Sequence, residues 1–273
     1  MLGVPVRTIV AAVRRPSIRV HVLRTLPAFL RGATYARTWT NEALQSTISP
    51  EPSNCTSNPL AEYFDRHSSG NGIWKWRHYF DIYHRHLQKF IGKEVHVAEV
   101  GIFSGGSLDM WRHYFGPRCH LYGIDVEPAC RAYEGPNTEI FIGDQEDRGF
   151  WRAFKQAVPR LDVLIDDGGH ESEQQIVTFE ELMPHIANSG VFICEDIHGT
   201  HNEFSTYIHS FSQALNEWNK LNMAELASKR SRLQDSINSV HSYPFMTVIE
   251  RTPAGSAKIF AAPKHGTGWQ PFL

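Results

Sequence analysis

Two stretches hold acids whose type and spacing suit a hard cation. Asp166-Asp167-Gly168-Gly169-His170 follows the largely apolar run Leu161-Asp162-Val163-Leu164-Ile165, and Glu195-Asp196-Ile197-His198 follows Gly190-Val191-Phe192-Ile193-Cys194. Each run reads as a buried strand of a parallel sheet. In open α/β sheets, ligands bind outside the carboxyl ends of the strands. Four carboxylates and the imidazoles of His170 and His198 therefore fall where ligands sit. A helix cap accounts for one acid after a strand, not for four acids after two. Oxygen donors in this number fit a hard divalent cation with open positions.

Three further segments must complete the edge. Val95-His96-Val97-Ala98-Glu99-Val100 runs into Gly101-Ile102-Phe103-Ser104-Gly105-Gly106-Ser107, a strand and a glycine-rich turn ahead of a helix over 108–115. The glycines permit positive φ and close approach, and the helix start offers free N–H groups. The spacing is Gly-x-x-x-Gly-Gly, which differs from the dinucleotide fingerprint Gly-x-Gly-x-x-Gly. Glu99 suits a ligand with a cationic end, such as an amino-acid ammonium. A second strand, His120-Leu121-Tyr122-Gly123-Ile124, ends in Asp125, where an acid accepts from ribose hydroxyls. A third, Glu139-Ile140-Phe141-Ile142, leads to Gly143-Asp144-Gln145, with Asp144 placed to accept from an adenine amino group.

The rest of the chain frames these elements. Its 273 residues suffice for one large α/β domain with an extension. No run is apolar for the roughly 18 residues that span a membrane. Cys55, Cys119, Cys130 and Cys194 show no paired spacing, which fits a reducing, cytoplasmic setting. Residues 1–41 hold seven arginines and no Lys, Asp or Glu. The chain as a whole is at −2, which leaves −9 on the other 232 residues. That acidic body excludes a nucleic-acid channel, which needs a basic stripe. Ile9, Val13, Val20, Leu23, Leu26 and Leu30 interleave with the arginines at helical spacing. This arm reads as an amphipathic helix on an anionic membrane, as an organellar transit peptide, or as a helix packing on the domain or a second subunit. Pro16 and Pro27 are expected to break it. An apolar face needing cover points to a homo-oligomer. The expected organisation is a basic arm and linker over 1–72 and a domain over 73–273. Residues 42–72 read as loop, 73–87 as an aromatic-rich helix, 199–240 as a mostly helical lid, and 243–250 with 257–261 as a β-hairpin turning at 252–255.

These motifs together resemble a class I S-adenosylmethionine-dependent methyltransferase. More closely, they are similar to the metal-dependent sugar O-methyltransferases of macrolide biosynthesis, of the mycinamicin and tylosin type. The resemblance rests on Glu99-x-Gly101, Gly105-Gly106-Ser107-Leu108-x-Met110-Trp111, Tyr122-Gly123-Ile124-Asp125, Gly143-Asp144-Gln145, Ile165-Asp166-Asp167-Gly168-Gly169-His170, Glu195-Asp196 and the stretch from Lys75 to Tyr83. It implies a Rossmann-like seven-stranded α/β sheet with a C-terminal antiparallel hairpin behind a helical N-terminal extension. It implies cofactor contacts by Glu99, Gly101, Ser107, Asp125, Asp144, Gln145 and Asp166. Mg²⁺ would be held by Asp167, Glu195 and Asp196, with His170 as general base. After Glu195-Asp196-Ile197-His198 the chain continues Gly199-Thr200-His201, where many relatives have Thr-Ser and aromatics, so the acceptor pocket is open.

The chemistry agrees with the residues. A sugar hydroxyl is a poor nucleophile at a sulfonium methyl. A cation that orients one of two neighbouring hydroxyls and lowers its pKa, with an imidazole to take the proton, answers that need. The expected partner is a small glycosylated or diol acceptor, with peripheral membrane contact through residues 1–41. Two rivals differ: a catechol-type or other small-molecule O-methyltransferase, and a non-catalytic cofactor-binding scaffold at a membrane. A scaffold has no use for four acids and His170.

Overall fold

The computed structural model describes residues 16–40, 58–200, 202–216, 231–256 and 265–268. The chain divides into two units, one ending at Cys55 and one beginning at Thr56. The described part of the first unit is one helix, α1 (Pro16–Thr40). Pro16 opens it, a position where the missing N–H has no partner to lose. Pro27 lies inside it, so the expected break does not occur. One internal proline removes one backbone bond, and the helix continues on both sides. Ile9, Val13 and the linker over 42–57 lie outside the described residues. No described helix is long and apolar enough to cross a membrane.

The second unit opens with α2 (Pro59–Arg66), where a loop was expected. Asn58 caps it by accepting from the N–H of Leu60, and Leu60 is fully buried in the core. Residues 72–76 follow as a strap without regular structure, a turn spans 77–78, and α3 (Tyr79–Leu87) starts later than the expected helix. Then β1 (Val95–Val100), α4 (Gly106–Phe115), β2 (Cys119–Asp125), β3 (Thr138–Ile142), α5 (Arg148–Ala157), β4 (Leu161–Asp166), α6 (Ser172–Leu182), β5 (Ile186–Cys194) and α7 (Glu203–Gln213) alternate. A short α8 (Arg232–Ser236) leads into β6 (Ile237–Tyr243) and β7 (Met246–Arg251).

These strands form the expected seven-stranded sheet, in the order β3-β2-β1-β4-β5-β7-β6. β1 to β5 are parallel, and β7 and β6 close the sheet antiparallel. The hairpin is present but shifted. Its turn is Pro244-Phe245, and its first arm is β6, part of which was expected to be helical. The expected arm over 257–261 lies outside the described residues.

Two apolar layers cover the sheet because neighbouring strand residues face opposite sides. Val163 and Ile165 meet Tyr83, Trp111 and Phe115 on one side. Leu164 and Phe192 meet Trp151, Phe154 and Phe179 on the other. Fully burying a side chain of this size contributes about 1.5–3 kcal/mol. Trp151 also donates its indole N–H to the Gln145 carbonyl at 2.8 Å, which ties the core to the β3 loop. Trp151→Phe keeps a ring but leaves that buried carbonyl unpaired. It is expected to lower unfolding free energy by about 1–3 kcal/mol, read as a lower urea midpoint at unchanged slope.

Candidate active site

The strand register sets the site. Val100 at the end of β1 pairs with Ile124 on β2 and Asp166 on β4, and Asp166 pairs with Cys194 on β5. The next residues, Gly101, Asp167 and Glu195, therefore leave the sheet along one edge, beside Asp125, the last residue of β2. The chain order reverses between β1 and β4, which is where such sheets open a crevice. A cavity of about 760 Å³ lies there, lined by Gly101, Asp125, Asp144, Asp167, His170 and Asp196 among others.

Gly101 is the close approach in this crevice. Its φ is +80°, and a Cβ there would stand 2.0 Å from the Asp167 carbonyl oxygen. Left-handed backbone is rare for other residue types, yet Phe103 (+43°), His170 (+59°) and Asp196 (+52°) adopt it here. All three line the cavity. Backbone of this kind gathers at sites whose surroundings hold it in place.

At the β1–β2 end, Glu99 is buried, and its Oε2 accepts from the Ser107 hydroxyl at 2.7 Å. Burial pushes its carboxyl above the usual range, against the pull of Lys75 and Ser107. Asp125 accepts from the N–H groups of Phe103 and Glu127 at 3.0 and 2.9 Å, which fixes its rotamer at the cavity wall. Asp144 accepts from the N–H of Glu146 at 2.8 Å and also lines the cavity.

Two further expected cofactor contacts, Gln145 and Asp166, are paired with one another, and Gln145 lines the cavity. The Gln145 amide is used within the protein: Nε2 donates to Asp166 Oδ1 and Thr178 Oγ1, and Oε1 accepts from the N–H of Gly169 at 2.9 Å. Asp166 lies beneath the cavity, outside its lining. It is 1% exposed, and burial pushes its carboxyl up to about 7. Period-two alternation explains why neighbours differ: Asp166 is still strand and points into the protein, while Asp167 has left it.

At the β4–β5 end, His170 Nε2 is 3.7 Å from Asp196 Oδ2 and 4.0 Å from Asp167 Oδ1. Asp167, His170 and Asp196 offer ligand atoms all within 4.8 Å of one another. His170 Nδ1 is buried with no hydrogen-bond partner among the described residues. His198 Nε2 is 4.0 Å from Asp196 Oδ1, further towards solvent. Glu195, the third expected cation ligand, lines the same cavity and shares Lys75 with Asp167. It is wholly buried, with Oε1 accepting from the Tyr83 hydroxyl at 2.5 Å and Oε2 from Lys75 at 3.0 Å.

Sequence reasoning missed Lys75. Its Nζ also lies 2.5 Å from Asp167 Oδ2 and 3.4 Å from Glu99 Oε1. Burial alone would lower its pKa, but Glu195, Asp167 and Glu99 hold the ammonium well above the usual lysine value. Tyr79 was missed too: its hydroxyl donates to Asp196 Oδ1 at 2.7 Å. The strap that delivers Lys75 also carries Trp76, which packs 5.5 Å from Phe245 of the hairpin turn, itself 5.3 Å from His198. This aromatic wall flanks the acids.

No family model matches the chain. Among curated proteins, demethylmacrocin O-methyltransferase of Streptomyces fradiae is 36% identical over 132 residues, covering 45% of this chain and 33% of that protein. The L-olivosyl-oleandolide 3-O-methyltransferase of Streptomyces antibioticus is 32% identical over 178 residues, covering 62% of this chain and 44% of that one. A solved structure of MycE methyltransferase from the mycinamycin biosynthetic pathway, in complex with Mg and SAH, superposes with a TM-score of 0.58. Its identity is 21%, over 73% of this chain and 55% of that one. The chain has a class I methyltransferase fold and is a relative of the macrolide sugar O-methyltransferases. The matched part of this methyltransferase relative spans less than half the length of each of those two curated proteins.

Proposed function

We propose that this methyltransferase relative is an S-adenosylmethionine- and divalent-cation-dependent O-methyltransferase. Its acceptor is a hydroxyl of a sugar or glycosylated natural product. One observation carries the reading. His170 faces Asp167 and Asp196 at the ends of β4 and β5, in a cavity that Gly101 and Asp125 also line. The residues fit both groups. Asp167 and Asp196 offer hard oxygen donors beside a ring nitrogen, and the glycine at 101 with the acid at 125 suits an adenosyl ligand. Ser107, which lines the cavity, would meet the cationic amino-acid end with Glu99 behind it at 2.7 Å, and Asp125 and Asp144 the ribose and adenine.

Bound there, the cofactor supplies an electrophilic methyl group, and the cation orients and acidifies the acceptor hydroxyl. His170 accepts that proton at Nε2, the nitrogen facing the acids. Asp196, held by Tyr79, stabilises the imidazolium that results. The aromatic wall excludes water from one side and presents ring faces to the body of the acceptor. The relatives named for sugar-bearing macrolides support an acceptor of that class.

The test is calorimetric titration of S-adenosylmethionine, with and without Mg²⁺, into the wild type and Asp125→Ala. Wild-type binding in the micromolar range is expected. Each hydrogen bond to a charged group contributes about 1.5–3 kcal/mol, so the variant should lose tenfold or more. Absence of wild-type binding in both conditions overturns the reading.

A further inference from the structure

We propose that His86, His241 and Glu250 form a second metal site, for a borderline transition ion of the Zn²⁺ class, that ties α3 to the β6–β7 hairpin. The three residues offer ligand atoms all within 4.8 Å of one another. His86 comes from the last turn of α3. His241 and Glu250 come from the antiparallel pair β6 and β7. Alternation puts Ser239, His241 and Tyr243 on one face of β6, and Glu250 pairs with Ser239 across the hairpin. The rings of His86 and His241 are 4.6 Å apart, and His86 Nδ1 is 3.2 Å from Glu250 Oε1. This group is separate from the crevice. Glu250 pairs with Val191, three residues before β5 ends at Cys194, which is about 10 Å down the sheet. The site stands whether or not the crevice holds a cation of its own.

Two imidazoles and one carboxylate suit Zn²⁺ and its neighbours, with a position left for water. Mg²⁺ prefers oxygen donors. The surroundings prepare the ligands. Burial lowers the pKa of His86, so its ring is neutral at pH 7. Burial alone would raise Glu250, but His86 and Lys89 hold its carboxyl below the usual range, so it is ionised. An ionised carboxylate only accepts, so His86 Nδ1 carries the proton in the metal-free chain. With an ion on Nδ1 that proton moves to Nε2, 2.9 Å from the Tyr243 hydroxyl, and none is lost. Ser239 donates to Glu250 Oε2 at 3.2 Å. Such partners orient metal-bound histidines and carboxylates. Metal bonds of about 2.0–2.2 Å require the His241 ring to turn inward from Ser239, which it meets at 2.9 Å. Lys89 Nζ, 3.3 Å from Glu250 Oε1, is the competing cation, and at 38% exposure its side chain can swing away.

The experiment is Zn²⁺ binding to the full chain in millimolar Mg²⁺, read by competition with a chromophoric chelator. Every protein carries Asp196→Asn, which removes an acid from the crevice and suits the left-handed backbone at 196. This parent should bind Zn²⁺ with micromolar or tighter affinity, and Zn²⁺ should raise its urea midpoint. Adding Glu250→Gln or His241→Asn should weaken binding tenfold or more. Adding Lys89→Met should tighten it at least threefold, a gain that damaged folding cannot produce. Absence of Zn²⁺ binding to the parent overturns the proposal. So does a loss of less than tenfold in Glu250→Gln or His241→Asn, which would put the ion in the crevice or on Glu94, His96 and His120. If those two variants do not fold, Lys89→Met decides, and unchanged or weaker binding there overturns the proposal.

Discussion

Replacing His170 with alanine is expected to lower kcat for methyl transfer by a factor of about 10² to 10⁴, the range that a positioned general base contributes. S-Adenosylmethionine affinity should stay within threefold of wild type, because the charged neighbours of His170 are Asp167 and Asp196 rather than the residues assigned to the cofactor. The geometry sets the expectation. His170 Nε2 lies between Asp196 at 3.7 Å and Asp167 at 4.0 Å, and its side chain is 36% exposed, so it can meet an acceptor. Its backbone φ of +59° is a confounder, since alanine tolerates that region poorly. His170→Asn controls for it, because asparagine accepts left-handed backbone while lacking a base. Both variants should lose the rate alike. Mn²⁺ affinity distinguishes the competing role. A base can be removed with the cation still bound, whereas a third ligand cannot. If Mn²⁺ affinity falls in step with the rate, His170 is a cation ligand and the proton goes elsewhere.

The sheet and most of the site's edge were legible because both follow from local pattern. Apolar runs that stop at acids mark strand ends, and strand ends in a parallel sheet share one edge. Lys75 was not legible. A dense aromatic segment looks alike whether it is a helix face or a strap without regular structure. The contact between residue 75 and residue 195 depends on a fold that brings together positions 120 apart in sequence. The resemblance gave Asp166 and Asp167 separate roles, but local pattern could not, since one residue of strand length decides which acid faces the cavity. The hairpin was displaced for a chemical reason. Pro253-Ala254-Gly255 carries a strong turn signal, whereas the true turn at Pro244-Phe245 puts a phenylalanine at φ +61°. That choice brings Phe245 to Trp76 and His198, beside the candidate acceptor end of the cavity.

Asp166 should reveal itself in the pH dependence of stability. Its carboxyl is pushed from the ordinary 3.8 to about 7, first by burial and then against the hydrogen bonds from Gln145 and Gly168. The sign follows from proton uptake. Between pH 4 and 7 the folded chain keeps a proton that the unfolded chain has released, so this group costs stability as pH rises through that window. Below the window both states are protonated and the cost vanishes. Above it the cost is constant. At 1.4 kcal/mol per pH unit, the full span is on the order of 4 kcal/mol. Asp166→Asn resembles the protonated acid in shape and keeps an acceptor for Gln145, but does not titrate. With divalent cations chelated, the unfolding free energy of Asp166→Asn minus that of wild type should rise by several kcal/mol from pH 4.5 to pH 8. Using the difference cancels Glu99 and Glu195, whose carboxyls are raised in both proteins. A flat difference would mean that Asp166 is ionised in the fold throughout, and that its Oδ2, which has no hydrogen-bond partner among the described residues, meets a positive charge.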